Sequence, residues 1–338
     1  VNMRRADCNF QLAFLAHLVN TRLHDENAAA IGDNLFRYLF EKSGLRCPDH
    51  PGLAAGAPKG VWKWSHIDWH PKVYFDDNAW VAALCLALSR SVPEAEKRYD
   101  LKQTGLEVAD GFVENHREIL DGEQGQYRGR IERPHWGALV AMALACAFHE
   151  TGEASYADAA NRFLAMLRTH DERFDCSDLA YMLLGVLTTA QACRDPELCG
   201  YAVSLGKRML SRMTPQGTLP SEWDSEAPAG EHLVDMIYTQ NWALLALQML
   251  AEVTEEAAFE TAFRRALGFI IDIQDTSAEP HLCGCWRGCY DLNAGAWGGG
   301  DRYEGGANSI YTGWTNAPIC WALVFALEER SLLSELVP

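Results

Sequence analysis

Residues 74–88 read YFDDNAWVAALCLAL, which places two adjacent carboxylates, Asp76 and Asp77, at the entrance of an almost wholly apolar run. The Ala and Leu residues after Trp80 predict a helix that is buried on every side. One aspartate in a first turn stabilises the exposed backbone N–H groups and the positive end of the helix dipole by roughly 0.5–2 kcal/mol. That role needs only one acid, so the second indicates chemistry.

Similar apolar segments recur along the chain and alternate with charged ones. Low-charge helices are predicted over 9–20, 76–90, 134–150, 175–191, 236–250 and 308–327. Charged helices with a single apolar stripe are predicted near 25–43, 94–120, 155–170, 195–213 and 255–274. Helical hairpins of this kind hide their apolar faces only by packing against neighbouring hairpins. The alternation therefore predicts an all-α (α/α)6 toroid with the low-charge helices inside; an open helical solenoid is the alternative.

The pattern predicts a single toroid domain over residues 1–338, because no strand-rich region of domain size interrupts it. The sixth charged helix is missing from the pattern. The chain opens on Val1 and ends soon after Glu328-Glu329-Arg330. We therefore expect the domain to be part of a longer chain.

The composition of the chain limits the kinds of molecule that it can bind. The chain has 29 basic and 46 acidic residues, a formal net charge of −17, which repels nucleic-acid phosphates and anionic lipid. No apolar run reaches the roughly 18–20 residues that cross a bilayer. We therefore expect neither nucleic acid nor membrane as a partner, while the sequence carries no signal for an oligomeric state. The first residues lack the apolar core of a signal peptide, which favours the cytoplasm; a removed leader is the alternative.

Eleven cysteines are present, and most fall inside helical patterns, where a free thiol behaves as a small hydrophobe. The run HLCGCWRGC at 281–289 offers four ligands, but its spacing matches none of the structural zinc patterns. His66 and His70 are four residues apart, yet Pro71 favours an extended loop over a helix. Phosphate-binding glycine loops, dinucleotide fingerprints and Gly-x-Ser-x-Gly elbows are absent from the sequence. We expect no metal and no cofactor.

Long aromatic loops precede the low-charge helices, at 44–75, 121–134, 214–235 and 275–307. In a ring of alternating helices these loops all lie at the same end. They carry six of the eleven tryptophans: Trp62, Trp64, Trp69, Trp223, Trp286 and Trp297. Aromatic faces stack on the C–H faces of sugar rings, so the loops predict a carbohydrate-binding basin. The alternative is that the tryptophans pack down as lids over the ring.

Asp76 and Asp77 are the first candidates for catalysis. Glycoside hydrolysis needs one carboxylic acid to protonate the leaving oxygen and one carboxylate to act as base or nucleophile. Two like charges at the mouth of an apolar bundle raise one pKa, which separates these roles. In the glycine-rich loop 297–306, Glu304 or Asp301 could be the opposing carboxylate, and Arg302 could bind a carboxylate. A tight loop with surface charges is the alternative there.

The remaining candidates lie at the starts of low-charge helices or in the loops before them. Each alone is typical of a cap or a packed aromatic, and their shared location at converging helix starts favours substrate contact. The predicted substrate-binding residues are Trp64, Asp68, His70, Trp80, His135, Trp136, Asp178, Tyr238, Gln240, Trp242, Trp297, Asp301, Arg302, Tyr303 and Trp314.

The stretch Asp76-Asp77-Asn78-Ala79-Trp80 followed by an Ala/Leu helix resembles the six-hairpin glycosidases, most closely the adjacent-aspartate motif of the endo-α-1,6-mannanase family. The resemblance implies that Asp76 and Asp77 are the catalytic pair and that Trp80 lines a subsite. The alternating helices are also similar to those of unsaturated glucuronyl hydrolases and sugar 2-epimerases. The segment 301–308 is not part of the mannanase pattern, so the resemblance does not extend to the sugar or to a third acid.

The sequence therefore predicts a glycoside hydrolase that cleaves an oligo- or polysaccharide by paired-carboxylate catalysis. Two alternatives stay open. A sugar 2-epimerase would use histidine to move a proton, and His135, His232 and His281 are its candidates. A non-catalytic glycan-binding module would use the same tryptophans.

Overall fold

The computed structural model describes residues 3–46, 60–66, 72–114, 127–222, 229–254, 256–298 and 309–338. Within these ranges the chain is mostly helical. The α-helices are α1 Ala6–Leu23, α2 Glu26–Arg37, α3 Phe75–Ser91, α4 Pro93–Tyr99, α5 Leu101–Glu114, α6 Pro134–Thr151, α7 Ala154–Arg168, α8 Cys176–Cys193, α9 Pro196–Arg212, α10 Gln240–Thr254, α11 Ala257–Asp272, α12 Ala317–Leu327 and α13 Leu333–Leu336. Two π-helical turns, Tyr38–Lys42 and Thr312–Asn316, extend α2 and precede α12.

The described strands are short and lie between helices. β1 (Val73–Tyr74) pairs in parallel with β2 (Tyr127–Arg128). β3 (Leu233–Asp235), β4 (Cys289–Asp291) and β5 (Ala296–Trp297) form a small antiparallel sheet in that order. These strands join loop segments to each other, and none of them builds a core.

The chain divides into two compact units. The first comprises residues 1–170, 188–198 and 333–338, and the second comprises residues 171–187 and 199–332. In the first unit α3 packs against α1, α5 and α6. In the second, α10 packs against α11 and α12. The single-domain organisation stays a prediction.

Most of the low-charge helices are buried along most of their length, whereas α1 buries only part of its surface. Every residue is buried from Phe75 to Leu88 in α3, from Pro134 to Ala147 in α6 and from Gln240 to Leu250 in α10. The charged helices bury one stripe: in α7 it is Tyr156, Ala159, Ala160, Phe163, Leu164 and Leu167. Burying each large apolar side chain contributes about 1.5–3 kcal/mol, so helices without charges settle inside. None of the helices in these ranges combines the length and hydropathy of a membrane span.

Some predicted boundaries are wrong. The single helix expected near 94–120 is two helices, because Asp100 adopts a left-handed conformation with φ 51° between α4 and α5. Aspartate tolerates this conformation better than most residues. The helix expected from residue 236 begins only at Gln240. Asp235 accepts hydrogen bonds from the backbone N–H groups of Ile237 and Tyr238, which holds a turn before that helix.

The start of α3 is joined to the preceding loop by the side-chain amide of Asn78. Its Oδ1 accepts from the Trp62 backbone N–H at 2.9 Å, and its Nδ2 donates to the Trp62 carbonyl at 3.1 Å. Nδ2 also donates to the Tyr74 carbonyl at 3.0 Å. The amide thus satisfies buried backbone groups that the loop itself leaves unpaired.

The same device recurs at two later helix starts, and we call all three contacts amide clamps. Asn316 accepts from the Trp286 N–H at 2.9 Å and donates to the Trp286 carbonyl at 3.0 Å. Gln240 accepts from the Leu219 N–H and donates to the Gly217 carbonyl, both at 2.9 Å. Each clamp fixes a loop to the first turn of the helix that follows it.

Two of the loop tryptophans, Trp62 and Trp286, are the residues whose backbone groups bind to these clamps. Trp62 is fully buried, and Trp286 is 2% exposed with its indole N–H donating to the Ile270 carbonyl at 2.7 Å. An indole surrounded by protein atoms offers no face to a sugar. For these two residues the predicted exposed platform is wrong, and the alternative of tryptophans packing down holds.

We predict that Asn78→Ala lowers the free energy of unfolding by about 2–4 kcal/mol, because it removes the side-chain partners of the buried Trp62 N–H and carbonyl. Urea titration followed by circular dichroism measures this as a lower midpoint. Asn34→Ala, at an exposed position of α2, is the matched control and should change stability by no more than about 0.5 kcal/mol. Equal losses in the two variants would refute the clamp's contribution.

Candidate functional site

Asp76 and Asp77 lie in the first turn of α3, but neither is its N-cap. That position belongs to Tyr74, which is extended (φ −107°, ψ 147°) and makes no side-chain capping bond. Consecutive residues of an α-helix point about 100° apart, so the two carboxylates face different neighbours. They are 5% and 1% exposed, respectively. Neither acid therefore caps α3 through a side-chain hydrogen bond, although both lie in its first turn, at the positive end of the helix dipole.

Asp77 faces the start of α1, where it meets a buried guanidinium. Arg5 Nη2 donates to Asp77 Oδ1 at 2.6 Å. The same guanidinium forms a two-point pair with Asp7, from Nε to Oδ1 and from Nη2 to Oδ2, each at 3.1 Å. Arg5 is 7% exposed and Asp7 is fully buried. We call Arg5, Asp7 and Asp77 the Arg5 cluster; it ties α1 to α3.

One cation faces two carboxylates in the Arg5 cluster. Burial raises the pKa of Asp77 well above its usual range, and this desolvation outweighs the opposing attraction of Arg5. The charges of Asp7 and Asp76 raise the same pKa further. Burial likewise raises the pKa of Asp7. The cluster therefore holds a proton at a higher pH than an exposed aspartate does.

Asp76 faces α6 instead. His135 lies near the start of that helix, and its Nε2 is 3.0 Å from Asp76 Oδ2. Both side chains are nearly buried. The imidazole stacks on the Trp136 indole, with 4.5 Å between ring centroids and 20° between planes. The stacking holds the imidazole beside the carboxylate. Asp76 thus has a titratable base as its neighbour, whereas Asp77 has a permanent cation.

Each acid retains one oxygen without a hydrogen bond among the residues that the structure describes. These atoms are Asp76 Oδ1 and Asp77 Oδ2, and both are buried. An unpaired buried carboxylate oxygen costs free energy, so its retention calls for an explanation. Asp77 is hydrogen-bonded to Arg5 through its other oxygen, and the other oxygen of Asp76 lies 3.0 Å from His135 Nε2, so each acid has one oxygen suited to proton transfer.

Trp136 reaches its place because residue 129 is glycine. Gly129 has φ +115°, and a Cβ there would lie 2.5 Å from the Trp136 indole. Only glycine satisfies both the conformation and the approach. Any larger residue at 129 would displace the ring on which His135 stacks.

Trp64 lies beside the Arg5 cluster and is only half-buried. Its ring centroid is 5.7 Å from Arg5 Cζ and also 5.7 Å from Lys72 Nζ. The Tyr74 ring packs edge-on against it, with 5.8 Å between the ring centroids. Trp64 therefore combines partial exposure with a position beside Arg5, the partner of Asp77, and a sugar-stacking residue needs such an exposed ring near the site.

Other predicted binding residues are deeply packed. Trp80 is fully buried in α3 of the first unit. In the second unit, Trp242 donates its indole N–H to the Ile237 carbonyl at 3.0 Å and meets Trp314 at 5.0 Å. Tyr238, Gln240 and Asp178 are buried there as well, whereas Trp297 is half-exposed against Tyr290. Their roles as sugar contacts stay predictions.

The second unit also holds a polar cavity of about 580 Å³. Phe174 and Asp175, just before α8, contribute to its wall, together with Arg212 and Glu222. Arg212 Nη1 lies 3.2 Å from Glu222 Oε2, so this pair is locally neutralised. The sequence did not predict this cavity.

Several predicted site residues fall outside the described residues: Asp68, His70, Asp301, Arg302, Tyr303 and Glu304. Conversely, Arg5 and Asp7 were missed at the sequence level. The signal that would have found them is an Arg-x-Asp sequence immediately before an apolar helix. Within the described ranges, no three His, Cys, Asp or Glu side chains group closely enough to hold a metal ion.

No protein-family model matches the sequence, and no curated protein does. Solved structures match it in fold. A cellobiose 2-epimerase from Spirochaeta thermophila gives a TM-score of 0.67 at 11% identity, over 96% of this chain and 86% of that one. An α-mannanase from Bacteroides thetaiotaomicron gives 0.65 at 12% identity, also over 96% and 86%.

A third match is an α-1,6-mannanase from a Salegentibacter species, solved with α-1,6-mannotetrose as an inactive variant in which two consecutive aspartates are alanine. It gives a TM-score of 0.51 at 10% identity, over 79% of this chain and 72% of that one. At these identities the likeness concerns the fold alone. The predicted fold class is confirmed: the chain has the all-α (α/α)6 toroid fold that these enzymes share.

Because burial raises the pKa of Asp77, the native state binds a proton that the unfolded state releases. The stabilising contribution of that proton is complete below the unfolded-state pKa of about 3.9 and is lost as pH rises through the folded-state value. We predict that Asp77→Asn removes this slope. The unfolding free energy of the variant relative to the native protein should therefore increase as pH rises from about 4 through the folded-state pKa. Urea titrations at several pH values measure it; a constant difference would contradict the raised pKa.

Proposed function

We propose that this chain is a carbohydrate-active enzyme, a glycoside hydrolase that uses Asp76 and Asp77 as its paired acids. The observation that carries the proposal is their separate anchoring. Asp77 is held by Arg5 and Asp76 lies against His135, while each keeps one oxygen without a hydrogen bond in the described part of the chain. Paired carboxylates in unlike environments are what acid and base roles in glycoside hydrolysis require.

The environments suggest which acid does what. Asp77, with its raised pKa, is the proton donor: its Oδ2 gives a proton to the glycosidic oxygen as the bond from that oxygen to the anomeric carbon breaks. Asp76 is the carboxylate that either attacks the anomeric carbon or takes a proton from the incoming water. His135, at 3.0 Å from Asp76, orients it. Trp64 offers a partly exposed ring beside these acids for a sugar.

The comparisons support this choice of chemistry and suggest a first substrate. Two of the matched folds are α-mannanases, and one of them is inactive when two consecutive aspartates are alanine. Asp76 and Asp77 are likewise consecutive. An α-1,6-linked mannan is therefore the first substrate to test. The proposal includes Glu304 as a third acid, which a Glu304→Gln variant would test.

A sugar 2-epimerase is the second candidate, and one observation favours it. His135 paired with Asp76 is a buried imidazole–carboxylate unit that could remove the proton from C2 of a reducing sugar and return it to the other face. The fold is also that of a cellobiose 2-epimerase. The side chains of His232 and His281 are 45% and 73% exposed, so His135 is the histidine to test.

We predict that Asp76→Asn and Asp77→Asn each lower the rate of α-1,6-mannan hydrolysis by at least about 100-fold, because each removes an acid–base group. Reducing-sugar release measures the rate, and circular dichroism checks that the variants stay folded. Asp33→Asn, on the exposed side of α2, is the matched control and should hydrolyse like the native protein. Native rates in both active-site variants would end the proposal.

Deuterium uptake separates the two enzyme classes. We predict that incubation of cellobiose or mannose in heavy water yields no deuterium at C2, as measured by mass spectrometry, because hydrolysis exchanges no carbon-bound proton. Deuterium at C2 that disappears in His135→Asn would instead establish the epimerase, and the paired-acid assignment would fall.

A further inference from the structure

We propose that Asp7 is a positioning residue of this site. By making a two-point contact with the Arg5 guanidinium, it leaves Asp77 able to keep the proton that it donates. The inference deepens the proposed function and rests on it. It assigns a role to the first turn of α1, which the paired-acid mechanism alone does not use.

The geometry gives Asp7 the greater share of the cation. Asp7 engages the guanidinium at two points, in the parallel arrangement that is strongest for arginine and carboxylate. Asp77 receives one contact, shared with Asp7 through Nη2. Because Asp7 is fully buried and cannot be screened by water, its negative charge offsets that of Arg5 at close range.

Within the described ranges, Arg5 is the only cation in contact with Asp77. Asp76 is its neighbour on the same helix and adds negative charge, and His135 from α6 lies against Asp76. The α5 residues buried in the structure carry no charge: they are Leu101, Thr104, Gly105, Val108, Ala109, Gly111 and Phe112. Lys72 lies across the Trp64 ring, at 5.7 Å from its centroid. Asp7 and Asp77 thus share the Arg5 guanidinium, and the charge of Asp76 also acts on Asp77, so ionising all three acids is unfavourable.

The consequence for the reaction concerns the donated proton. If Arg5 served Asp77 alone, the ion pair would hold Asp77 as a carboxylate, and no acid would remain to protonate the leaving oxygen. With Asp7 in this two-point contact, Asp77 is fixed in place by Arg5 without being fully neutralised by it. Positioning and proton retention are therefore supplied by different members of the cluster.

The first experiment needs no substrate. Protein labelled with ¹³C at the aspartate Cγ is titrated by NMR, and the Asp77 signal is the one that disappears in Asp77→Asn. In Asp7→Asn the full charge of Arg5 acts on Asp77, so its titration should move to lower pH by about 1–3 units. In the double variant Asp7→Asn with Arg5→Gln that downward shift should disappear, because the cation is gone as well.

This pair of variants separates electrostatics from damage to the fold. Loss of packing alone would not be reversed by removing a second buried group. An Asp77 signal that titrates at the same pH in the native protein and in Asp7→Asn would overturn the proposal. So would a shift that persists in the double variant.

The second experiment links Asp7 to catalysis. On α-1,6-mannan, the alkaline limb of the kcat/KM profile should move to lower pH in Asp7→Asn, by the same amount as the Asp77 titration. On α-mannobiosyl fluoride, whose leaving group needs no proton donor, Asp7→Asn should retain activity within about tenfold. An unchanged pH profile, or equal losses on both substrates, would refute the role of Asp7. Native hydrolysis by Asp76→Asn and Asp77→Asn would instead refute the proposed function itself.

Discussion

A single buried guanidinium joins the first turns of two helices in this protein. Withdrawing the charge of Arg5 from water is expensive, and only close carboxylates with good geometry offset that cost. Asp7 on α1 and Asp77 on α3 supply them. The orientation of the first turn of α3, and with it the position of both adjacent acids, depends on this contact. Without the Arg5 contact the apolar helices could still pack, but no cation would offset the buried charges of the carboxylates.

The helical twist then turns two neighbouring acids into unlike groups. Asp77 is directed to a permanent cation on α1, and Asp76 to an imidazole on α6. Identical side chains therefore meet different electrostatic surroundings although they are consecutive in the chain. On a strand, neighbouring side chains point to opposite faces, so two consecutive acids could not serve the same site. It is this difference in surroundings, more than the presence of two acids, that makes the site suited to acid–base chemistry.

The fold class could be predicted from the sequence because its signal is local and repeated. Segments with few charges, such as 76–90 and 134–150, are unfavourable at a surface, and their alternation with charged helices leaves few arrangements. The pairing of Arg5 with Asp77 could not be found in this way, since the two residues are 72 positions apart. The fate of the loop tryptophans was also hidden. The buried Trp62 ring packs against Phe10 and Phe40, which are distant in sequence, and no pattern within the loop reveals these contacts.

The amide clamps have a consequence for how such a scaffold diversifies. Each clamp binds backbone atoms, so it specifies where a loop must arrive but not which side chains that loop carries before arrival. The side chains of the segment that precedes each clamped residue can therefore vary, and only the last few residues of that segment and the receiving amide need to be kept. A designer could graft a different surface in front of α3 or α10 without redesigning the helices behind it.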